Sequence, residues 1–205
     1  MIGSRTVWVI VGLAAVTLGP TGCAARVTPP YSDAEQARLD EYEKAAERVL
    51  KSRGIDGLPP VVRTGSDPTL QTAGHPAAYY EPRVRLADMG RPGTIVINRS
   101  VLADDYIAQA VLSHELAHFV LGHTEQRCRD RQHECEVEAY VGSVELLMTG
   151  WGQSYDDAVR LQYAYLKSVL LAVQRGEATV ARGHVDPCRE LQEFSARFKT
   201  SATCD

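Results

Sequence analysis

The sequence predicts an α+β domain in which a small sheet precedes a run of helices. Three observations predict it. Thr94-Ile95-Val96-Ile97-Asn98 is a β-branched run bounded by Gly93 and by Asn98-Arg99, the signature of a strand. Three helical stretches then follow, each ending near a glycine. A charged helix stands before the sheet, so strands and helices are grouped rather than alternating. Of the 205 residues, 44% are hydrophobic and 23% charged, a balance that excludes a disordered tail, a fibre and a multi-span membrane protein. That length suits one domain. A formal charge of −4 leaves no electrostatic footprint for nucleic acid.

The chain opens on an address. Arg5 precedes the apolar run Val7–Leu18, which Gly19-Pro20 breaks before it is long enough to span a bilayer. Residues 1–22 therefore read as a signal peptide. Thr21-Gly22-Cys23-Ala24-Ala25 resembles a bacterial lipobox, although Pro20 stands where that motif usually has Leu. The resemblance makes Cys23 the lipidated first residue of a mature chain, tethered through residues 23–31 to a membrane of the bacterial envelope. Residues 32–205 then form the single folded domain.

Ser32-Asp33 can cap a helix running to about Arg53 and stopping at Gly54, with Tyr42, Ala45, Ala46, Val49 and Leu50 spaced for one buried face. Residues 54–78 are rich in Gly, Pro, Ser and Thr; a short strand is expected at Val61–Arg63, and His75 falls in loop. A second strand is expected at Tyr79–Ala87, before the turn signal Gly90-Arg91-Pro92-Gly93. After the strand at 94–98, Asp104-Asp105 caps an amphipathic helix from about Tyr106 to Leu121, ended by Gly122. Further helices are expected at about Glu134–Thr149, ended by Gly150, and at about Tyr155–Gln174, ended by Gly176. Four cysteines remain after Cys23. An even count in an exported chain points to disulfides, and proximity in sequence favours Cys128–Cys135 and Cys188–Cys204, the latter pinning the tail. The alternative is a second metal site using Cys128, His133 and Cys135.

The chemistry sits on the helix that begins at Asp104. His114-Glu115-Leu116-Ala117-His118 is H-E-x-x-H. Residues i and i+4 of a helix stack on one face, so two imidazoles there can reach one Zn²⁺. Glu115 stands beside them, where a carboxylate can take a proton from a zinc-activated water. A catalytic zinc wants a third protein ligand and an open position. His123, His133, Glu134, Glu136 and Glu138 all follow within reach, the acidic ones at the start of a helix that can return antiparallel to the first.

His114-Glu-Leu-Ala-His118-Phe-Val-Leu-Gly-His123, followed by Glu136-Val-Glu138-Ala139-Tyr140, resembles the gluzincin metallopeptidases of the HtpX and CAAX prenyl protease type. Those enzymes show H-E-x-x-H, often another His five residues on, and E-x-x-A-D on a second helix. Pro92–Asn98 is similar to the strand preceding their zinc helix, so the resemblance covers about residues 80–148. It implies a compact zincin fold and one zinc per chain. It makes His114, His118 and Glu136 the ligands and Glu115 the base, with Glu138 supporting and His123 outside the usual ligand set. Two features depart from the pattern. Tyr140 replaces the Asp after the Ala, removing an expected partner for a ligand. The gap from His118 to Glu136 is short, closer to compact gluzincins of the ImmA/IrrE type.

The expected function is a zinc-dependent endopeptidase, held to a membrane by its lipid and hydrolysing envelope or secreted polypeptides. Tyr140, His123, Tyr79 and Tyr80 are the candidate oxyanion donors, and the strand at Ile95–Ile97 is the candidate edge for an extended substrate. Two alternatives stand beside this reading. One is a non-catalytic zinc-binding assembly or scaffold lipoprotein, against which the intact Glu115 argues. The other is a protease kept latent until a partner opens its cleft.

Overall fold

The computed structural model describes residues 31–64, 78–82, 91–176 and 186–204. Residues 1–22, expected to be a signal peptide, Cys23, all of the expected tether but Tyr31, and His75 lie outside them. The described residues form six helices and one three-stranded sheet, a mixed α+β architecture. None of these helices is long and apolar enough to cross a membrane.

Helix α1 (Asp33–Ser52) begins as its sequence dictates. Ser32 and Glu35 form a reciprocal capping box, and Tyr42, Ala45, Ala46, Val49 and Leu50 make the buried face. Glu35 has a second task. Both its oxygens are bound by the Arg99 guanidinium at 2.7 Å, which holds its carboxyl down to about 2. Arg38 reaches Asp105 and, at 2.6 Å, the Leu102 carbonyl. The first turns of α1 are thus tied to the segment that launches the H-E-x-x-H helix.

Strands β1 (Val61–Thr64), β2 (Ala78–Glu81) and β3 (Thr94–Ile97) lie in the order β1-β3-β2. β3 pairs parallel with β1, Val62 opposite Ile95, and antiparallel with β2, Tyr80 opposite Ile95. It is buried along its whole length, which is why it reads as an unbroken apolar run rather than an alternating one. The pairing corrects one expectation. β3 is filled on both sides and has no edge to offer a peptide; the outer strands are β1 and β2.

From β3 a 3-10 turn (Arg99–Ala103), capped by Asn98, leads directly into α2 (Asp105–Val120). The Asp104 carboxylate accepts from the N–H groups of Tyr106 at 2.8 Å and Ile107 at 3.0 Å. α2 does not show the single buried face expected of an amphipathic helix. Every residue from Ala110 to Ala117 is buried, because α1, the sheet, the 3-10 turn and two later helices pack around it. His114 and Glu115 are polar groups carried inside this central helix.

A short helix α3 (Glu125–Cys128) and the Cys128–Cys135 disulfide turn the chain back into α4 (Gln132–Trp151), which packs along α2. α4 runs past Gly150, which was expected to end it. The stop is Gly152, in the left-handed conformation at φ 70°. Gly150 has a packing role instead. A Cβ there would lie 3.1 Å from the Ala45 carbonyl and from a Val49 methyl, so its bareness lets α1 approach α4 closely.

Helix α5 (Tyr155–Gln174) follows as expected, capped by Ser154. The tail was expected only to be pinned. It forms a further helix, α6 (Pro187–Phe198), with Asp186 as cap, Pro187 in its first turn, and the Cys188–Cys204 disulfide closing the segment. Leu191 and Phe194 of α6 join a core that also holds Leu112 and Leu116 of α2, Leu146 and Leu147 of α4, and Leu166 of α5.

Candidate metal centre

His114 and His118 sit one turn apart on α2, and Glu136 approaches from the first turns of α4. The Nε2 atoms of the two histidines lie 3.2 Å apart. A Glu136 oxygen (Oε2) lies 3.2 Å from His114 Nε2 and 3.5 Å from His118 Nε2. One atom from each side chain therefore meets at a single point, and the three together are able to hold a metal ion. The short connection makes this possible. The disulfide joins α3 to the first turn of α4, so Glu136 arrives beside α2 only eighteen residues after His118.

His114 is 2% exposed and Glu115 is 5% exposed, so both are enclosed by protein. His118 and Glu136 are partly exposed, at 13% and 12% of their side chains, and mark the open side of the cluster. Tyr140, one turn beyond Glu136 on α4, lies behind it. Its ring is fully buried and stacks on His114, centroids 4.1 Å apart and planes 32° from parallel. Burial, with Tyr165 and the carboxylates of Glu190, Glu136 and Glu115 nearby, drives its hydroxyl well above its usual pKa. Tyr140 therefore stands as a neutral phenol at any physiological pH.

The end of α2 places the next histidine. Gly122, at φ 66°, turns the chain, and the His123 N–H donates back to the His118 carbonyl at 2.8 Å while Gly122 N–H donates to Phe119 at 3.0 Å. This is a Schellman motif, and it returns His123 beside the turn that carries His118. His118 Nδ1 and His123 Nδ1 lie 3.0 Å apart. His123 Nε2 lies 3.1 Å from a Glu138 oxygen, and the other Glu138 oxygen accepts from Arg131 at 3.0 Å. Burial lowers the pKa of His123, with neighbouring His118 acting in the same direction.

Other expected residues fall elsewhere. His133 is held by Glu193 of α6 at 2.9 Å, away from the convergence point, and Glu134 is exposed. Cys128 and Cys135 lie near His123, but they are joined to each other rather than open as ligands. Tyr80 packs its ring against Phe119 of α2, centroids 5.9 Å apart, and Tyr79 is exposed.

No family model, curated protein or solved structure matches the chain. Its chemistry is therefore read from the residues of the site, which is where function resides in any fold.

Two buried polar groups, the first of them near the site, are not marked by any pattern in the sequence. Glu190 of α6 is completely buried and electrostatically coupled to Tyr140 and Tyr165. Gln162 of α5 is completely buried as well. Nothing in the spacing around residue 190 marked a helix, and the Asp186-Pro187 start was the one available signal.

Proposed function

We propose that the chain is a zinc-dependent endopeptidase, with His114, His118 and Glu136 as ligands and Glu115 as general base. The observation that carries this reading is the convergence of two imidazole nitrogens and one carboxylate oxygen at 3.2, 3.2 and 3.5 Å. Ligands about 2.0–2.2 Å from a tetrahedral zinc are separated by roughly 3.4 Å, so the size of the donor triangle is compatible with zinc. A two-nitrogen, one-oxygen set with a partly exposed side also suits a catalytic rather than a closed structural zinc.

Held by His114, His118 and Glu136, a zinc ion would supply a Lewis acid for the scissile carbonyl and would make a water acidic enough to ionise near neutral pH. The protein's own groups do the rest. Glu115 accepts the proton of the attacking water as the new C–O bond forms. It then delivers that proton to the amine as the C–N bond breaks. Tyr140, sealed behind His114, suits support of that ligand rather than donation to an oxyanion. For an extended polypeptide the favoured edge is β2, because β3 is paired on both sides and β2 lies against α2. The family resemblance at His114–His123 and Glu136–Ala139 supports the same reading. The lipobox-like segment at Cys23 supports attachment to an envelope membrane, with envelope or secreted polypeptides as substrates.

The test is cleavage of a fluorescently labelled unfolded polypeptide by the full chain. Activity is expected to vanish with a strong zinc chelator and to return when zinc is restored. Undiminished cleavage after chelation, or none from zinc-loaded protein, overturns the proposal.

A further inference from the structure

The missing Asp of the E-x-x-A-D element leaves open what steadies the ligands. We infer that His123 and Glu138 form a relay that orients His118 and raises its basicity toward the metal, which makes His123 a positioning residue. The inference rests on the proposed metal centre and adds to it the groups that tune one ligand.

The hydrogen-bond geometry permits one consistent proton arrangement once His118 Nε2 is committed to a metal. His118 must then carry its proton on Nδ1, and the atom 3.0 Å away is His123 Nδ1, which must accept. A neutral His123 that accepts at Nδ1 carries its proton on Nε2. That proton points to the Glu138 oxygen 3.1 Å away, an acceptor in its ionised form. Arg131 donates to the other Glu138 oxygen at 3.0 Å and keeps the carboxylate in place. Every donor meets an acceptor along Arg131, Glu138, His123 and His118. Metal-bound histidines ordinarily hand their second ring proton straight to a carboxylate or carbonyl. Here a second imidazole stands between.

The backbone explains why the intermediary is His123. The Schellman turn at Gly122 fixes the His123 amide on the His118 carbonyl at 2.8 Å, so the His123 ring is anchored to the residue it orients. Glu138 lies two residues beyond Glu136 on α4, so the helix that delivers a ligand also delivers the relay's terminal charge.

The experiment is competition of the full chain against a chromophoric chelator for zinc, repeated with cobalt(II) to follow the ligand field by absorption. His123→Leu and Glu138→Gln are each expected to weaken zinc binding about 10–100-fold and to shift the cobalt spectrum, while His118→Ala abolishes binding. His123→Gln, whose amide can both accept and donate, is expected to recover most of the loss; a mere packing role would not predict that rescue. Should His123→Leu fail to fold, Glu138→Gln decides, because Glu138 is 41% exposed and contributes little packing. The relay is overturned if wild type binds one zinc and His118→Ala loses it, yet both relay variants bind within about twofold of wild type. A wild type that binds no metal removes the metal centre itself, and the relay with it.

Discussion

Replacing Glu115 with Gln is expected to lower kcat for polypeptide hydrolysis by about 10²–10⁴-fold while leaving zinc bound. The amide keeps the size and the buried position of the carboxylate, which is 5% exposed within the buried run Ala110–Ala117. It cannot take the proton of water. Because Glu115 is absent from the convergence of His114, His118 and Glu136, the metal-to-protein ratio should not change. The loss should fall on kcat, since the group acts as the water attacks rather than in holding substrate. Hydrolysis by Glu115→Gln at a rate near wild type would show that this carboxylate is not the base.

Tyr140→Ala is expected to cost about 3–5 kcal/mol of folding stability, read from denaturant unfolding of the metal-free protein. Its side chain is completely buried, packed between His114 on one side and Tyr165 on the other, with centroids 4.1 and 6.3 Å away. Truncation opens a cavity at the junction of α2, α4 and α5, in the middle of the core. Tyr140→Phe keeps the ring on His114 and isolates the part played by the hydroxyl. The same cavity frees His114 to tilt, so zinc affinity should fall in Tyr140→Ala as well. Wild-type stability in that variant would mean that the stack on His114 bears no structural weight.

The parts of this molecule that were legible in the sequence are those set by local chemistry. Ser32 and Glu35 made the start of α1 readable, and Asp104 made the start of α2 readable, because a cap is a short-range event. The cysteine pairs were legible from proximity, and both disulfides form as expected. His114, His118 and Glu136 were nominated by a helical spacing and a family resemblance, and the fold brings all three together.

What stayed hidden depends on packing between distant elements. Gly150 has the composition of a helix stop, but its bareness serves the close approach of α1. The β3 run carries no local sign of its place in the sheet, where β1 and β2 flank it. α2 reads as an amphipathic helix because it carries Ser113, His114 and Glu115, yet all three are buried. The pairing of His123 with Glu138 depends on the antiparallel return of α4, which no local pattern encodes.

The most direct test of the central claim is the zinc-to-protein ratio of the purified full chain, measured beside Glu136→Ala. About one zinc per chain is expected in the wild type, with loss of that zinc in the variant, as a two-histidine, one-glutamate site requires. A zinc-free wild type after loading would contradict the metal centre, and a full zinc complement in Glu136→Ala would contradict its third ligand.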